Sequence, residues 1–162
     1  MVILSLDIST KSTGYAVFED KKLIAYGVIA PPGEVITRIE KIADEVNLLM
    51  LEYNPDVIYT EETEPATQKI IDVYRKLTFA HGAIAIVLNH YHKELQYCTA
   101  SHWRKIVGIK TGPGIKRAQL KPLDVAKANE LFNLNTKNDD LADAVLIGWS
   151  YILEHEYDEC AW

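Results

Sequence analysis

Apolar and polar positions alternate between two rhythms along this chain. Val2 to Leu6 is a short β-favouring run at the N-terminus and predicts a buried, central strand. It ends in Asp7, where a core strand should stay apolar, and Ser9, Thr10, Ser12, Thr13 and Gly14 then turn the chain. Tyr15–Asp20 and Leu23–Ile29 predict two antiparallel strands around an Asp20-Lys21-Lys22 tip. From Glu34 to Tyr53, Ile36, Ile39, Ile42, Ala43, Val46, Leu49 and Met50 recur at helical spacing, and Asn54-Pro55-Asp56 stops the run. Val57–Thr60 predicts a strand ending in the acidic Glu61-Glu62-Thr63-Glu64. A helix is expected over about Thr67–Tyr91, a last strand over Leu95–Thr99, and a short helix over Ala100–Val107 with Ser101 near its cap. The loop Gly108–Gly114 and two further helices, Arg117–Leu131 and Asp139–Glu154, complete the order.

Three antiparallel strands followed by crossovers that deliver parallel partners predict an α/β fold. Its sheet would be mixed, five-stranded and flanked by helices. Residues 1–162 read as a single domain with a frayed acidic tail over about 155–162. Composition adds little: 48% hydrophobic and 25% charged residues are ordinary for a globular chain. No apolar run approaches a membrane span, and no basic segment precedes an apolar one at the N-terminus. Cys98 and Cys160 lie far apart, which fits free thiols in a reducing cytoplasm better than a disulfide. The expected location is therefore cytoplasmic.

Charge changes the picture more. The net charge is −6, yet Lys93 to Lys127 holds eight basic residues against Glu94 and Asp124, a local excess of +6 that leaves −12 elsewhere. Association follows local potential rather than the sum. Arg104, Lys105, Lys110, Lys116, Arg117 and Lys121 are accordingly either candidate contacts to a nucleic-acid backbone or a solvated basic helix and loop. Trp103 is a candidate either for base stacking or for the core.

The candidate chemistry lies in carboxylates. Parallel strands present their C-terminal ends at one sheet edge, so Asp7 and Glu61 converge if their strands are neighbours. Asp140 and Asp143 share a helix face near its N-terminus. Glu62 or Glu64 could replace Glu61, and Asp139 or Asp140 could instead cap the last helix. Two unit charges about 5 Å apart at an effective dielectric of about 20 repel by roughly 3 kcal/mol, so four at one place require a positive partner. A hard oxygen ligand set without a His/Cys cluster selects Mg²⁺, with Mn²⁺ able to substitute. Such ions activate water and stabilise the leaving oxygen of a phosphodiester.

The chain resembles the RuvC-type Holliday junction resolvases, which have the RNase H-like fold. The resemblance covers about residues 1–153 and rests on four stretches. These are Leu6-Asp7-Ile-Ser-Thr-Lys-Ser-Thr13-Gly14-Tyr15, Pro55-Asp56-Val-Ile-Tyr-Thr-Glu61, Ala80-His-Gly82-Ala-Ile-Ala-Ile-Val87 and Asp140-Leu-Ala-Asp143-Ala144. It implies that Asp7, Glu61, Asp140 and Asp143 are catalytic metal ligands, and that Lys116 or Arg117 lies near the scissile phosphate. It further implies a Mg²⁺-dependent homodimer that nicks opposed strands of a four-way junction. Near two-fold symmetry of the junction matches a C2 dimer, for which the helix around Thr78–Tyr91 is the candidate interface. The chain departs from the family pattern in two places. Ile8-Ser9 replaces Pro-Gly after the aspartate, and Glu64 stands where bacterial members often carry an aromatic residue. So compact and divergent a member suggests a phage origin. The alternatives are an RNase H-type nuclease on RNA–DNA hybrids, a non-catalytic branched-DNA-binding module, or an actin-like kinase, for which the chain is too short.

Overall fold

The structure is a computed structural model that describes residues 1–62, 71–112 and 114–159, without the side chains of 117 and 157–159. The chain runs β1 (Val2–Asp7), β2 (Thr13–Glu19), β3 (Lys22–Ile29), α1 (Val35–Tyr53), β4 (Val57–Glu61), α2 (Ile71–Asn89), β5 (Leu95–Cys98), α3 (Ala100–Ile106), α4 (Arg117–Phe132) and α5 (Asp139–Glu159). This is the expected α/β order. One five-stranded sheet has the spatial order β3-β2-β1-β4-β5, so β1 is central. β1–β2 and β2–β3 pair antiparallel, whereas β1–β4 and β4–β5 pair in parallel.

Successive strand residues face opposite sides of the sheet. Leu4, Leu6, Val17 and Ile58 pack with Ile39, Ile42, Val46 and Met50 of α1 and Ile84 and Leu88 of α2. Ile3, Ala16, Phe18 and Tyr59 pack on the other side with Trp103 of α3, Ala128 of α4 and Ala142, Val145 and Leu146 of α5. α5 lies unusually close to the sheet. A Cβ on Gly14 would run into the Asp140 backbone, and one on Gly148 would meet Ser5 and the Phe18 ring. Ser5 Oγ donates to the Ala144 carbonyl at 2.7 Å, pinning the N-terminal third of α5 to β1.

Several boundaries move for local reasons. Thr99, not Ser101, caps α3, its side chain accepting from the His102 N–H at 3.2 Å. The expected helix over Thr67–Tyr91 is seen from Ile71 to Asn89, and residues 67–70 lie outside the described residues. The tail is helical as far as Glu159 rather than frayed from 155. His155 Nδ1 donates to the Tyr151 carbonyl and its ring stacks on Tyr151 at 3.9 Å, while Lys21 pairs with Glu156 at 2.6 Å. Cys98 is a buried free thiol, and Cys160 lies outside the described residues. No described helix is long and apolar enough to cross a membrane.

Candidate active site

Strand alternation decides where the first two carboxylates go. Asp7 shares the face of Ile3 and Ser5, and Glu61 shares the face of Val57 and Tyr59, which is the α5 side in both cases. β1 and β4 pair Ser5 with Tyr59 and Leu6 with Thr60, so one further step of that register sets Asp7 level with Glu61. Thr60 Oγ1 donates to the Leu6 carbonyl at 2.8 Å and locks the two strand ends together. The turn after Asp7 is held by other residues. Thr13 Oγ1 donates to the Ser9 carbonyl, and Ser9 Oγ accepts from the N–H groups of Lys11 and Ser12. Ser9 thus holds the turn without the family's Pro-Gly, while Ile8 packs into the core.

The helical pair arrives on the same side. Gly14 is the cross-strand partner of Asp7, and the Asp140 backbone abuts Gly14, so the start of α5 sits over the end of β1. Asp143, one turn on, is 4% exposed. Neither Asp139 nor Asp140 caps α5. Asn138 does so, its Oδ1 accepting from the Leu141 N–H at 2.9 Å, while Asp139 pairs with Lys121. Glu62 is exposed on the opposite strand parity and does not replace Glu61. Glu64 lies outside the described residues.

A layer behind these carboxylates comes from α3 and α4. Trp103 is fully buried, and its Nε1–H donates to Glu61 Oε2 at 2.8 Å. It is a core residue that orients Glu61, not a base-stacking platform. Arg104 is likewise buried, so its expected DNA contact is overturned. Its Nε is 3.2 Å from both carboxylate oxygens of Asp124, and its Nη2 is 2.9 Å from Asp124 Oδ2 and 3.9 Å from Asp143 Oδ2. Burial alone would lower the Arg104 pKa, but Asp124, Asp143 and Glu61 outweigh it, so the guanidinium stays charged. Sequence reading overlooked this pair, although a signal existed. Leu120, Asp124 and Ala128 recur at i, i+4 and i+8, which puts a carboxylate on the inward stripe of α4. A charge there demands a buried partner.

Asp143 carries the electrostatic signature of the site. Burial, followed by the Asp7 and Asp124 carboxylates, pushes its pKa up to about 8; Arg104 pulls it down, and Glu61 adds to the rise. Asp7 and Glu61 therefore lie within electrostatic reach of Asp143. Among the described residues, Asp143 Oδ1 is buried with no hydrogen-bond partner. A buried acceptor without a donor suits a cation, and the oxygen-only donor set suits a hard one. Among the described residues no three His, Cys, Asp or Glu side chains already stand at the spacing of a metal cage.

The basic strip is thinner than its sequence count. Arg104 is neutralised by Asp124, Lys121 pairs with Asp139, and Lys127 pairs with Glu130. Lys105, Lys110 and Lys116 are exposed, while the Arg117 side chain lies outside the described residues. Lys105 and Lys110 line an open groove of about 670 Å³ with Ser101, His102 and Thr111.

A mixed sheet with its acidic side chains at the ends of β1 and β4 and at the start of α5 defines the RNase H-like class. Residues 3–150 match the family Crossover junction endodeoxyribonuclease RuvC, and the chain belongs to that family. Crossover junction endodeoxyribonuclease RuvC of Dictyoglomus thermophilum is 29% identical over 164 residues, covering 96% of this chain and 99% of the relative. Its counterpart in Dictyoglomus turgidum is 27% identical over the same length and coverage. Among solved structures, Thermus thermophilus RuvC in complex with Holliday junction substrate superposes with a TM-score of 0.77 at 15% identity, covering 97% of this chain and 96% of that one. Fowlpox virus resolvase with its Holliday junction DNA gives a TM-score of 0.58 at 21% identity, covering 96% and 99%. The two curated relatives are bacterial, and the expected phage origin finds no support in them.

Proposed function

We propose that this chain is a metal-dependent endodeoxyribonuclease that resolves Holliday junctions, with Mg²⁺ as its ion and Asp7, Glu61, Asp140 and Asp143 as the ligands. Membership of the family supports the reaction class. The observation that carries the assignment to residues is the buried Asp143 Oδ1, unpartnered among the described residues, on the face where Asp7 and Glu61 act electrostatically on Asp143. A divalent cation bound there supplies Lewis acidity and offsets the charge of the leaving oxygen.

This chain's own residues do the rest. The Trp103 indole fixes one oxygen of Glu61, which leaves the other to face the reaction. The Gly14 contact seats the start of α5, and with it Asp140, against the end of β1. Lys116, exposed at the start of α4, supplies positive charge toward the scissile phosphate, with Arg117 next to it in sequence. Lys105 and Lys110 dock the DNA backbone along their groove. Water attacks phosphorus and the bond to the 3′ oxygen breaks, leaving a 3′-hydroxyl and a 5′-phosphate.

Two such sites must act on opposed strands, which calls for a homodimer. On α2, Phe79 and Ile86 are 51% and 67% exposed, and Gly82 between them has open space around it, which supports that helix as the interface.

The test is a panel of four-way junction, fork, flap and RNA–DNA hybrid, each with Mg²⁺ and with EDTA, using wild type, Asp7→Asn and Asp143→Asn. The expected outcome is junction cleavage that needs Mg²⁺ and is lost in both variants while junction binding persists. Wild-type rates in either variant would overturn the ligand assignment. Hybrid cleavage without junction cleavage would overturn the substrate.

A further inference from the structure

The pair formed by Arg104 and Asp124 lies directly behind a proposed metal ligand, and the Arg104 guanidinium has two carboxylates within reach. It binds Asp124 in a fork, with contacts of 2.9 and 3.2 Å, and stops 3.9 Å short of Asp143 Oδ2. A charge-assisted N–H···O bond forms at about 2.7–2.9 Å, so a shift of roughly 1 Å would let the same guanidinium seize Asp143. Asp124 is fully buried and 20 residues away from Arg104 in the chain, on a different helix, so the pairing is a tertiary choice.

We propose that Asp124 is a positioning residue that tethers Arg104 and holds its guanidinium off Asp143, keeping that carboxylate open to the divalent ion. The inference rests on the metal-site reading above. Its physical content is competition. An arginine paired with Asp143 Oδ2 would neutralise the carboxylate and set a positive charge beside the Oδ1 that the ion needs. Paired with Asp124, the same arginine is neutralised locally and still fastens α3 to α4. α3 then serves the site through two consecutive residues, since Trp103 bonds Glu61 and carries the Arg104 guanidinium 4.2 Å above its ring.

The experiment measures Mn²⁺ binding to the purified full chain, without DNA, by electron paramagnetic resonance, with circular dichroism to confirm folding. The variants are Asp124→Asn, Arg104→Gln, the Asp124→Asn/Arg104→Gln double variant and Asp7→Asn. Releasing the tether in Asp124→Asn should weaken Mn²⁺ binding about tenfold, equivalent to about 1.4 kcal/mol. Removing the competitor as well should bring the double variant back to within about threefold of wild type. Arg104→Gln alone should bind Mn²⁺ at least as tightly as wild type. A structural role would instead weaken all three together, and that result overturns the inference, as does wild-type affinity in Asp124→Asn. Should Asp124→Asn fail to fold, the other two decide: binding more than about threefold weaker than wild type in either overturns the tether. Absence of Mn²⁺ binding in wild type, or undiminished binding in Asp7→Asn, overturns the metal-site reading itself. Wild-type binding that Asp7→Asn loses leaves that reading standing and puts the tether alone on trial.

Discussion

The two faces of the sheet solve different problems. On the α1/α2 face, alternate strand residues meet a nearly continuous apolar layer of Leu4, Leu6, Val17, Ile58, Ile42, Val46, Met50, Ile84 and Leu88. On the α5 face, comparable apolar packing surrounds every described buried carboxylate and guanidinium: Arg104, Asp124 and Asp143. The first face carries the stability that the second spends on charge. A domain only marginally stable overall can hold a raised Asp143 pKa because the opposite side of the same strands is packed without such groups. The α5 face also uses its smallest residues, Gly14 and Gly148, at the points of closest approach between helix and sheet. Close approach delivers the start of α5 to the strand ends, so packing and site geometry are one device there.

Three measurements would break or sharpen this contrast. The largest effect on stability belongs to the apolar face. Leu6→Ala should cost about 2–5 kcal/mol in denaturant unfolding and leave Mn²⁺ affinity of the folded protein unchanged. A Leu6→Ala protein as stable as wild type would remove that face as the main source of stability. Next comes Gly14→Ala, which forces α5 away from β1. It should cost about 1–3 kcal/mol and, unlike Leu6→Ala, also depress junction cleavage and metal binding, because Asp140 moves with the backbone. Unaltered cleavage would separate helix seating from the site.

The third measurement varies pH. Asp143 holds its proton in the folded metal-free protein up to about pH 8, whereas an unfolded aspartate has released it near its ordinary 3.8. The folded state thus binds more protons between those limits, and stability falls as pH rises through that window, by at most about 1.4 kcal/mol per pH unit. Metal-free wild type should therefore lose melting temperature from pH 5 to pH 8 relative to Asp143→Asn. Saturating Mg²⁺ should restore most of the difference. Parallel pH profiles of the two proteins would mean that Asp143 is not held protonated.

Much of this was legible in the chain. Val2 to Leu6 followed by Asp7 announced a buried strand with a carboxylate at its tip, and Val57 to Glu61 repeated the statement. Parallel pairing then predicted that both acids stand at one sheet edge, whereas the structure alone showed that α5 covers the face they share. What misled was charge counted along the sequence. Arg104 belonged to a basic run by position, yet its neighbours on the helix surface are Trp103 and Val107, and all three are buried. Ser101 was a reasonable cap by residue type, but Thr99 holds the geometry that accepts the His102 N–H.

By itself the sequence determined the order of strands and helices and which acids stand at their ends, because these follow from local periodicity and from the intolerance of a buried strand for an unsatisfied charge. Only the tertiary structure decided which charges cancel one another. Whether Arg104 meets DNA, Asp143 or Asp124 depends on where α4 crosses α3. Helix crossings are set by side-chain packing between segments distant in the chain, about which local pattern carries no information.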